Sequence, residues 1–400
     1  MMTSPRAVYE ISPDVYWVGV RDWDRKFFDK LIPLPEGTSY NSYFIQGGEK
    51  TALVDTVNPG FEEDLEEKID QIADPQEIDF LIMNHAEPDH ANGLSHILSL
   101  TENAEILATE KGKEMALSLY DLPADSFRTV EDGDSIDLGG KNLRFVEAPW
   151  LHWPETMFTY LEEEGILFPC DFFGAHLATP KLYADQLQGD YPPQAKDYFG
   201  EIMMPFRPRA KKALEKIEDL EINMIAPSHG VLYRDPKPII QAHEKWTTPH
   251  LEEKVLIPYV SMWGSTKKLV ETITETIEAS GLDAIPFDVS IQSLDSLAGE
   301  LVDSAGVIFG TPTVLGGPHP QIIYVATLAK KLNPPAKYLG VLESHGWAGG
   351  AVREIGKIAE GLSGELLGAV EVHGAPDDQG LEKTVELGEK FVEEIRRSAT

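Results

Sequence analysis

The residue types with the clearest chemical potential in this chain are four histidines and three carboxylates. They are His85, Glu87, Asp89, His90, His152, Asp171 and His229. Imidazole nitrogens and carboxylate oxygens are common ligands of transition metals, and seven of them suffice for two ions. The alternative is a set of ordinary polar pairs, but the spacing of the first four makes this the weaker interpretation. The pattern therefore predicts a site for two metal ions.

The first four of these residues are predicted to lie on a loop. The apolar run Phe80–Met83 precedes them and predicts a buried strand, and residues 91–100 after them predict a helix. Side chains at positions i, i+2, i+4 and i+5 cannot share one face of a strand. They can converge in a tight loop at the carboxyl end of a strand, where α/β folds usually place ligands.

Glu87 is the position that restricts the choice of metal ion. Hydrolases with the metallo-β-lactamase fold carry His-x-His-x-Asp-His here and usually bind zinc, whereas this chain has Glu87 at the second position. A carboxylate is a harder donor than an imidazole and favours a harder ion such as iron. The ligands then divide into His85, Glu87 and His152 on one ion, Asp89, His90 and His229 on the other, and Asp171 as the bridge. Each ion keeps an open coordination position, as redox chemistry on a diatomic molecule requires.

The second half of the chain carries three loops that suggest a flavin site. Residues 254–260 predict a buried strand, residues 267–278 predict a helix, and hydroxyls and a glycine between them could cradle a phosphate. Two later apolar strands, 306–309 and 338–342, end in matching glycine-rich loops. Three such loops at neighbouring strand ends are typical of a flavodoxin-like sheet of order 2-1-3-4-5 with FMN at the switch point. The candidate FMN-binding residues are Ser261, Met262, Trp263, Gly264, Ser265, Thr266, Pro312, Thr313, Val314, Leu315, Gly316, Ser344, His345, Gly346, Trp347, Ala348 and Gly349.

With these residues the chain resembles the flavodiiron proteins, or A-type flavoproteins, over essentially its whole length. The resemblance rests on His85-x-Glu87-x-Asp89-His90, Leu151-His152-Trp153-Pro154, Phe168-Pro169-Cys170-Asp171, Ala226-Pro227-Ser228-His229-Gly230, Ser261-Met262-Trp263-Gly264-Ser265-Thr266 and Ser344-His345-Gly346-Trp347. It implies an α/β protein of two domains. Residues 1–249 would form a metallo-β-lactamase-like αββα sandwich with a carboxylate-bridged diiron site. Residues 250–400 would form a flavodoxin-like doubly wound parallel sheet that binds FMN.

The resemblance also implies an activity and an assembly. Electrons would pass from FMN to the two irons, which would reduce dioxygen to water, nitric oxide to nitrous oxide, or both. A diferrous pair and a reduced FMN together hold the four electrons that dioxygen needs. Family members form head-to-tail homodimers, alone or as dimers of dimers, which place the FMN of one chain beside the diiron site of its partner.

Two other kinds of protein could be built from the same parts. One is a zinc metallohydrolase with an appended flavodoxin-like domain, in which a metal-bound hydroxide acts. Glu87 argues against it. The other is an electron-transfer protein whose metal site is only structural, and the open coordination positions argue against that.

Composition excludes several further classes. The chain has 400 residues and a net charge of -33, which disfavours nucleic acid as a partner. No apolar segment approaches the roughly 20 residues of a membrane span, and the N-terminus lacks the apolar core of a signal peptide. A single cysteine, Cys170, excludes a disulfide within the chain and favours the cytoplasm. It also cannot supply the four thiolates of a rubredoxin centre, so electrons must come from a separate donor: rubredoxin, a reduced deazaflavin cofactor or a reductase.

Some residues outside the ligand set are weaker candidates. His176 follows Asp171 closely and could orient a ligand or supply protons, and Tyr198 could line the pocket for the diatomic molecule. Phe27 and Phe28 could cover the site. Core packing is the alternative for all four. His96, His243, His250, His319 and His373 are predicted to be ordinary surface or loop residues.

Overall fold

The computed structural model describes residues 7–248 and 251–399, which form two compact units. Unit 1 comprises the described residues up to Tyr198 together with Phe206–Thr247, and unit 2 comprises Phe199–Pro205 together with the described residues from Thr248 onwards. Nothing in the sequence predicts that Phe199–Pro205 groups with unit 2 while the residues on either side group with unit 1. Pro249 and His250 lie outside the described residues, so the domain division at 249/250 stays a prediction.

Unit 1 is built on two sheets. Its strands are β1 (Tyr9–Ser12), β2 (Val15–Trp17), β3 (Val20–Asp22), β4 (Phe27–Phe28), β5 (Ile32–Pro33), β6 (Thr38–Tyr40), β7 (Tyr43–Gln46), β8 (Thr51–Val54), β9 (Phe80–Ile82), β10 (Glu105–Ala108), β11 (Phe127–Thr129), β12 (Ser135–Asp137), β13 (Asn142–Glu147), β14 (Met157–Leu161), β15 (Ile166–Phe168) and β16 (Met224–Ile225). One sheet has the order β1-β2-β7-β8-β9-β10-β11 and the other β12-β13-β14-β15-β16. Two short hairpin-like pairs, β3 with β6 and β4 with β5, lie outside both sheets.

The helices of unit 1 are α1 (Glu62–Ile69), α2 (Pro88–Ala91), α3 (Gly93–Leu100), α4 (Glu110–Leu119), α5 (Gln194–Tyr198), α6 (Arg207–Ile217) and α7 (Lys237–Thr247). The predicted helix at residues 91–100 corresponds to α3. A π-helix, Phe199–Met203, and a 3-10 turn, Met204–Phe206, separate α5 from α6. Pro208 is compatible with α6 because it lies in the first turn of that helix. Backbone N–H groups in the first turn have no intrahelical acceptor, so the missing N–H of proline costs no hydrogen bond.

The run Phe80–Met83 shows how the two cores of unit 1 arise. Phe80 and Ile82 pack into the core between the two sheets, while Leu81 and Met83 pack into the core between the first sheet and its helices. Alternate strand residues point to opposite faces, so a strand covered on both faces must be apolar throughout. The result is the predicted αββα sandwich.

Unit 2 is a parallel sheet with helices. Its strands are β17 (Glu252–Tyr259), β18 (Asp283–Asp288), β19 (Ser304–Val314), β20 (Gly317–Pro318), β21 (Tyr338–His345) and β22 (Glu365–His373). Its helices are α8 (Ser265–Ala279), α9 (Leu294–Leu301), α10 (Pro320–Leu332), α11 (Ala351–Ala359) and α12 (Asp378–Ala399). The order β18-β17-β19-β21-β22, parallel throughout, confirms the flavodoxin-like topology.

Several predicted loops are partly regular structure. Asp89 and His90 lie in the short helix α2 rather than in an open loop. β19 continues through Pro312 and Thr313 to Val314, and β21 continues through Ser344 to His345. The continuation follows from parallel pairing, since Pro312 of β19 is still opposite Ser344 of β21. No helix among residues 7–248 and 251–399 is both long and apolar enough to cross a bilayer.

Candidate metal centre and flavin cavity

The seven predicted ligands all follow strand ends of unit 1. His85 and Glu87 follow β9 and lead into α2, which carries Asp89 and His90. His152, Asp171 and His229 follow β13, β15 and β16 respectively. Pairing makes β13, β15 and β16 run in one direction, because β14 is antiparallel to both β13 and β15, and β16 is parallel to β15. Residues far apart in sequence therefore meet at one edge of the sandwich.

The ligands meet in two adjacent groups. One contains His85, Glu87, His152 and Asp171, and the other contains Asp89, His90 and His229. In each group the candidate ligand atoms lie within 4.8 Å of one another. These are the two sets that the sequence predicts.

Asp171 lies between the two groups, and each of its carboxylate oxygens faces one of them. Its Oδ2 is 3.5 Å from Nε2 of His85 and 3.6 Å from Nε2 of His152. Its Oδ1 is 3.1 Å from Nε2 of His90 and 3.3 Å from Nε2 of His229. A carboxylate divided in this way is arranged to bridge two ions.

The spacing and hydrogen bonding of these atoms fit metal ions. Ligand atoms about 2.1 Å from a metal are separated by roughly 3.0–3.4 Å in octahedral or tetrahedral geometry. The observed separations run from 3.0 Å, between Nε2 of His152 and Oε2 of Glu87, to 3.6 Å. Nε2 of His90, Oδ1 of Asp89 and Oδ2 of Asp171 are buried and make no hydrogen bond within the described part of the chain. Polar atoms buried without partners are costly unless a cation satisfies them.

Groups behind the ligands fix their orientation. Nδ1 of His229 lies 2.6 Å from the carbonyl oxygen of Ser39, which can only accept, so Nδ1 carries the hydrogen and Nε2 is free for a metal. Nδ1 of His85 lies 2.7 Å from Oε1 of Glu155, and this oxygen also accepts from the N–H of Ala86 at 2.9 Å. The Ser228 hydroxyl donates to Oδ1 of Asp171 at 3.1 Å. Such contacts hold these three ligands in their binding directions.

Protons and metal ions compete for this cluster. Burial raises the pKa of Asp171, but the neighbouring imidazoles of His90 and His229 outweigh burial and lower it well below its usual value. Burial lowers the pKa of His229, but hydrogen bonds to Asp171 and Asp89 outweigh burial and raise it to about 10. Without metal, protonated imidazoles therefore neutralise the carboxylates. Metal binding displaces those protons.

Three aromatic side chains, His176, Tyr198 and Phe28, pack together beside His229. The ring of His176 lies 5.3 Å from that of His229, 4.7 Å from that of Tyr198 and 5.0 Å from that of Phe28. Burial, followed by the nearby His229, lowers the pKa of His176 to about 3, so its ring is neutral. Nδ1 of His176 pairs with the Thr38 hydroxyl at 3.0 Å, and within the described residues its buried Nε2 has no hydrogen-bond partner. Phe27 is 46% exposed, and its part in covering the site stays a prediction.

The strand-end loops of unit 2 line a cavity of about 360 Å³, within the usual range for small-molecule sites. Its lining residues are Ser261, Met262, Trp263, Ser265, Thr266, Pro312, Thr313, Ser344, His345, Gly346, Trp347, Gly374 and Ala375. Gly374 and Ala375 follow β22 and were missed by the sequence analysis. The other predicted residues do not line it: Gly264, Val314, Leu315, Gly316, Ala348 and Gly349.

The phosphate end of this cavity has the expected construction. Gly264 precedes α8 with φ of 94°, a conformation that glycine adopts without strain, and the N-terminus of α8 follows it. The hydroxyls of Thr266 and Ser344 are 2.9 Å apart, and the Ser261 hydroxyl accepts from the N–H of Lys267 at 3.1 Å. Trp263 and Trp347 are each 91% exposed. The cavity therefore offers hydroxyls and N–H groups at one end and open aromatic surfaces at its rim.

Glu343 is a buried carboxylate behind this cavity that the sequence analysis missed. It accepts from the Thr313 hydroxyl, from the N–H of Gly350 at 2.9 Å and from the N–H of Val352 at 2.7 Å. It thereby ties two of the three cavity loops together. The hydrogen bonds outweigh the effect of burial and lower the pKa of Glu343, so the carboxylate is ionised.

His243 corrects one prediction. It is buried rather than on the surface, and its ring lies 5.0 Å from Phe172, 4.5 Å from Phe173 and 4.9 Å from Trp246. Burial lowers its pKa to about 3. Cys170 is buried, and burial raises the pKa of its thiol well above the usual value, as expected for a packing residue rather than a nucleophile.

Known proteins resemble this chain across both units. Residues 38–230 match the model of the ODP family beta lactamase. The chain is 35% identical to the nitric oxide reductase of Moorella thermoacetica over 392 residues, which covers 96% of this chain and 98% of the relative.

Solved structures agree over the whole length. The rubredoxin oxygen:oxidoreductase of Desulfovibrio gigas superposes with a TM-score of 0.93 at 26% identity and covers 98% of this chain and 100% of that one. The flavodiiron protein of Giardia intestinalis gives a TM-score of 0.91 at 28% identity, with 98% of each chain covered.

Proposed function

Because this chain belongs to the flavodiiron protein family and is an oxidoreductase that reduces dioxygen, nitric oxide or both, we propose that the cluster around Asp171 is its catalytic centre. The observation that carries the proposal is the divided carboxylate of Asp171, with one oxygen toward each ligand group. Two irons held there would supply the redox chemistry for reduction of the diatomic substrate, with electrons from FMN. His85, Glu87 and His152 would hold one iron, and Asp89, His90 and His229 the other.

His176 and Tyr198 are the proposed pocket residues. Burial, followed by the charges of Asp171 and Asp89, raises the pKa of Tyr198 well above its usual value, so its hydroxyl keeps its proton and can donate it in a hydrogen bond. His176 is neutral, and among the described residues its Nε2 has no hydrogen-bond partner. Phe28 packs against His176 and limits the access of water. Together they would orient a small substrate beside His229.

The cavity of unit 2 is the proposed FMN site. The hydroxyls of Ser261, Ser265 and Thr266 and the N-terminus of α8 suit the phosphate. Trp347 and His345 suit the flavin ring, since both line the cavity and an aromatic face can stack on it. The electrons would come from a separate donor in the cytoplasm: rubredoxin, a reduced deazaflavin cofactor or a reductase.

Metal and flavin content test this assignment. We expect two irons and one FMN per chain in protein purified without oxygen, and consumption of dioxygen or nitric oxide when the flavin is kept reduced. Zinc in place of iron, with no consumption of either gas by iron-reconstituted protein, would contradict the proposal and favour a hydrolase.

We also propose that the active unit is a head-to-tail homodimer, alone or within a dimer of dimers. Each unit exposes several large apolar side chains. In unit 1 these are Trp23, Phe27, Leu31 and Trp150, and in unit 2 they are Met262, Trp263, Leu315 and Trp347. Exposed apolar groups of this size usually mark an interaction surface.

Mixing two inactive variants tests the head-to-tail arrangement. Asp171→Asn should lack the metal centre, and Ser265→Asp should lack FMN because it places a negative charge where the phosphate binds. Co-refolding the two should restore activity if the flavin of one chain serves the irons of the other. No restoration, together with a monomeric mass by light scattering, would contradict the dimer.

A further inference from the structure

The ligand sets of the two iron positions are chemically matched. Each has two imidazoles and one carboxylate, and both share Asp171. A difference in affinity or redox potential between the two positions must therefore arise from groups behind the ligands.

The imidazoles differ sharply in what stands behind them. Nδ1 of His85 pairs at 2.7 Å with Glu155, a buried carboxylate. Nδ1 of His229 pairs at 2.6 Å with a neutral carbonyl, that of Ser39. Nδ1 of His90 is buried and, within the described residues, has no hydrogen-bond partner. Of these three imidazoles, that of His85, at the first iron position, is the one that is hydrogen-bonded to a carboxylate.

The setting of Glu155 makes this contact rigid. The side chain of Glu155 is 1% exposed and that of His85 is fully buried, so water does not compete for the hydrogen bond. The same oxygen, Oε1, accepts from the N–H of Ala86, the residue between the ligands His85 and Glu87. The carbonyl of Glu155 accepts from the Thr109 hydroxyl at 3.0 Å, which anchors its backbone. Glu155 thus holds both the ring and the backbone of the loop that carries it.

A carboxylate behind an imidazole makes the imidazole a stronger donor. The hydrogen bond shifts electron density toward Nε2, and a more basic ligand stabilises the more oxidised metal ion. In a buried setting the effect is not screened by water. We infer that Glu155 is a positioning residue that makes the two iron positions unequal, so that the iron at His85 is held more tightly and is oxidised at a lower potential than the iron at His229.

Asp55 is the other buried carboxylate near the cluster, and it provides a matched control. Its oxygens accept from the N–H and the side-chain amide of Asn84, at 2.8 and 3.1 Å, and not from an imidazole. It has φ of 53°, which asparagine tolerates well. Asp55→Asn therefore removes a buried charge near the irons but breaks no hydrogen bond to a ligand.

Two substitutions of Glu155 separate orientation from charge. Glu155→Gln keeps an oxygen that can accept from His85 and Ala86 but removes the charge. Glu155→Ala removes the acceptor altogether. The inference rests on the proposed catalytic centre, so the unchanged protein must first show two irons per chain; if it does not, the proposed function fails and not this step.

The measurements are iron and FMN per chain, Mössbauer spectra of protein loaded with ⁵⁷Fe, and a redox titration followed by electron paramagnetic resonance. For Glu155→Ala we expect one iron to bind roughly 10–100-fold more weakly while the other and FMN are retained. For Glu155→Gln we expect two irons, but a smaller separation between the two potentials. Asp55→Asn should not narrow the separation.

Two results would overturn the inference. One is equal loss of both irons, or of neither, in Glu155→Ala protein with a full complement of FMN. The other is an unchanged separation in Glu155→Gln, or the same narrowing in Asp55→Asn as in Glu155→Gln.

Discussion

The metal centre of unit 1 and the flavin cavity of unit 2 both lie at strand ends, but they are built in opposite ways. The proposed metal ligands are mostly buried, and several are held from behind by a hydrogen bond, as His229 is by Ser39. Eight of the thirteen residues that line the proposed flavin cavity are serine, threonine, glycine or alanine. Its two tryptophans are largely in solvent. Glu343, which lies behind this cavity, resembles the buried charges of unit 1.

The difference follows from the size and charge of what each site holds. A metal ion makes a few short bonds of defined direction, so its ligands must be fixed in advance and their charges must be balanced when it binds. A flavin nucleotide buries a large flat surface, so its site needs a shaped opening and a phosphate cradle more than fixed charges. Substitution of a charged ligand in unit 1 should therefore strongly reduce metal binding. Substitution of a residue on the surface of the cavity in unit 2 should weaken FMN binding only mildly.

Removal of the bridge should have the largest effect. In Asp171→Asn the carboxylate that faces both ligand groups loses its charge and one oxygen. We expect loss of at least one iron and a fall in activity of more than about 100-fold, with FMN content unchanged. Metal analysis and gas consumption measure both quantities.

Asp79→Asn is the matched control for that loss. It removes a carboxylate of the same unit that accepts from the N–H of Thr51 at 2.8 Å, away from the ligands. Two irons should remain. If both variants lost iron equally, general destabilisation of unit 1, and not loss of a bridge, would explain the result.

His243 should make unit 1 the more acid-sensitive unit. Its pKa is about 3 when folded because of burial, against about 6.5 when unfolded, so the unfolded chain takes up the proton first as the pH falls. Its contribution to stability is complete above about pH 6.5 and is lost progressively toward pH 3. Between pH 6.5 and 4.5 the loss is about 2–3 kcal/mol.

His243→Leu should remove that part of the acid dependence. Urea unfolding of the metal-free protein at pH 7 and pH 4.5, followed by hydrogen exchange in peptides of each unit, measures it. His96→Leu is the control, since His96 is partly exposed and pairs with Glu66. An equal change in both variants would assign the effect to histidine content and not to burial.

Trp347 should give the smallest of the three effects. Trp347→Ala removes an exposed aromatic surface from the rim of the cavity, and we expect FMN to bind about tenfold more weakly while both irons remain. Flavin fluorescence titration measures the affinity. Tyr324→Ala, which removes another exposed aromatic side chain of unit 2 on α10, should leave it unchanged; a loss of iron in Trp347→Ala would blur the contrast between the two regions.

The sequence predicts the ligands better than it predicts their support. The seven ligands and the sheet order could be predicted because they depend on local spacing and on the order of strands and helices. Glu155 follows His152 by three positions, and this short spacing could have suggested that it supports a ligand. Its partner, however, is His85, 70 positions away, and such a contact depends on the packing of two sheets.

Burial and element ends were the other failures. His243 reads as an ordinary helical residue, and only the packing of Phe172 and Phe173 against α7 shows that it is enclosed. β19 extends to Val314 because β21 continues beside it, so the length of one strand is decided by its neighbour. Glu343 likewise comes just after the predicted strand 338–342, although it lies inside β21.

The order of the ligands along the chain also bears on how the protein is made. His229 is the last of them, so the metal centre cannot be complete until that residue has left the ribosome. Residues 230–400 follow, and at ordinary rates of synthesis they take roughly 10–30 s. During that interval every proposed ligand for iron has been made, while the strands that form the flavin cavity are still being synthesised. Iron can therefore be acquired on the nascent chain, and FMN only after synthesis of this sequence is nearly finished.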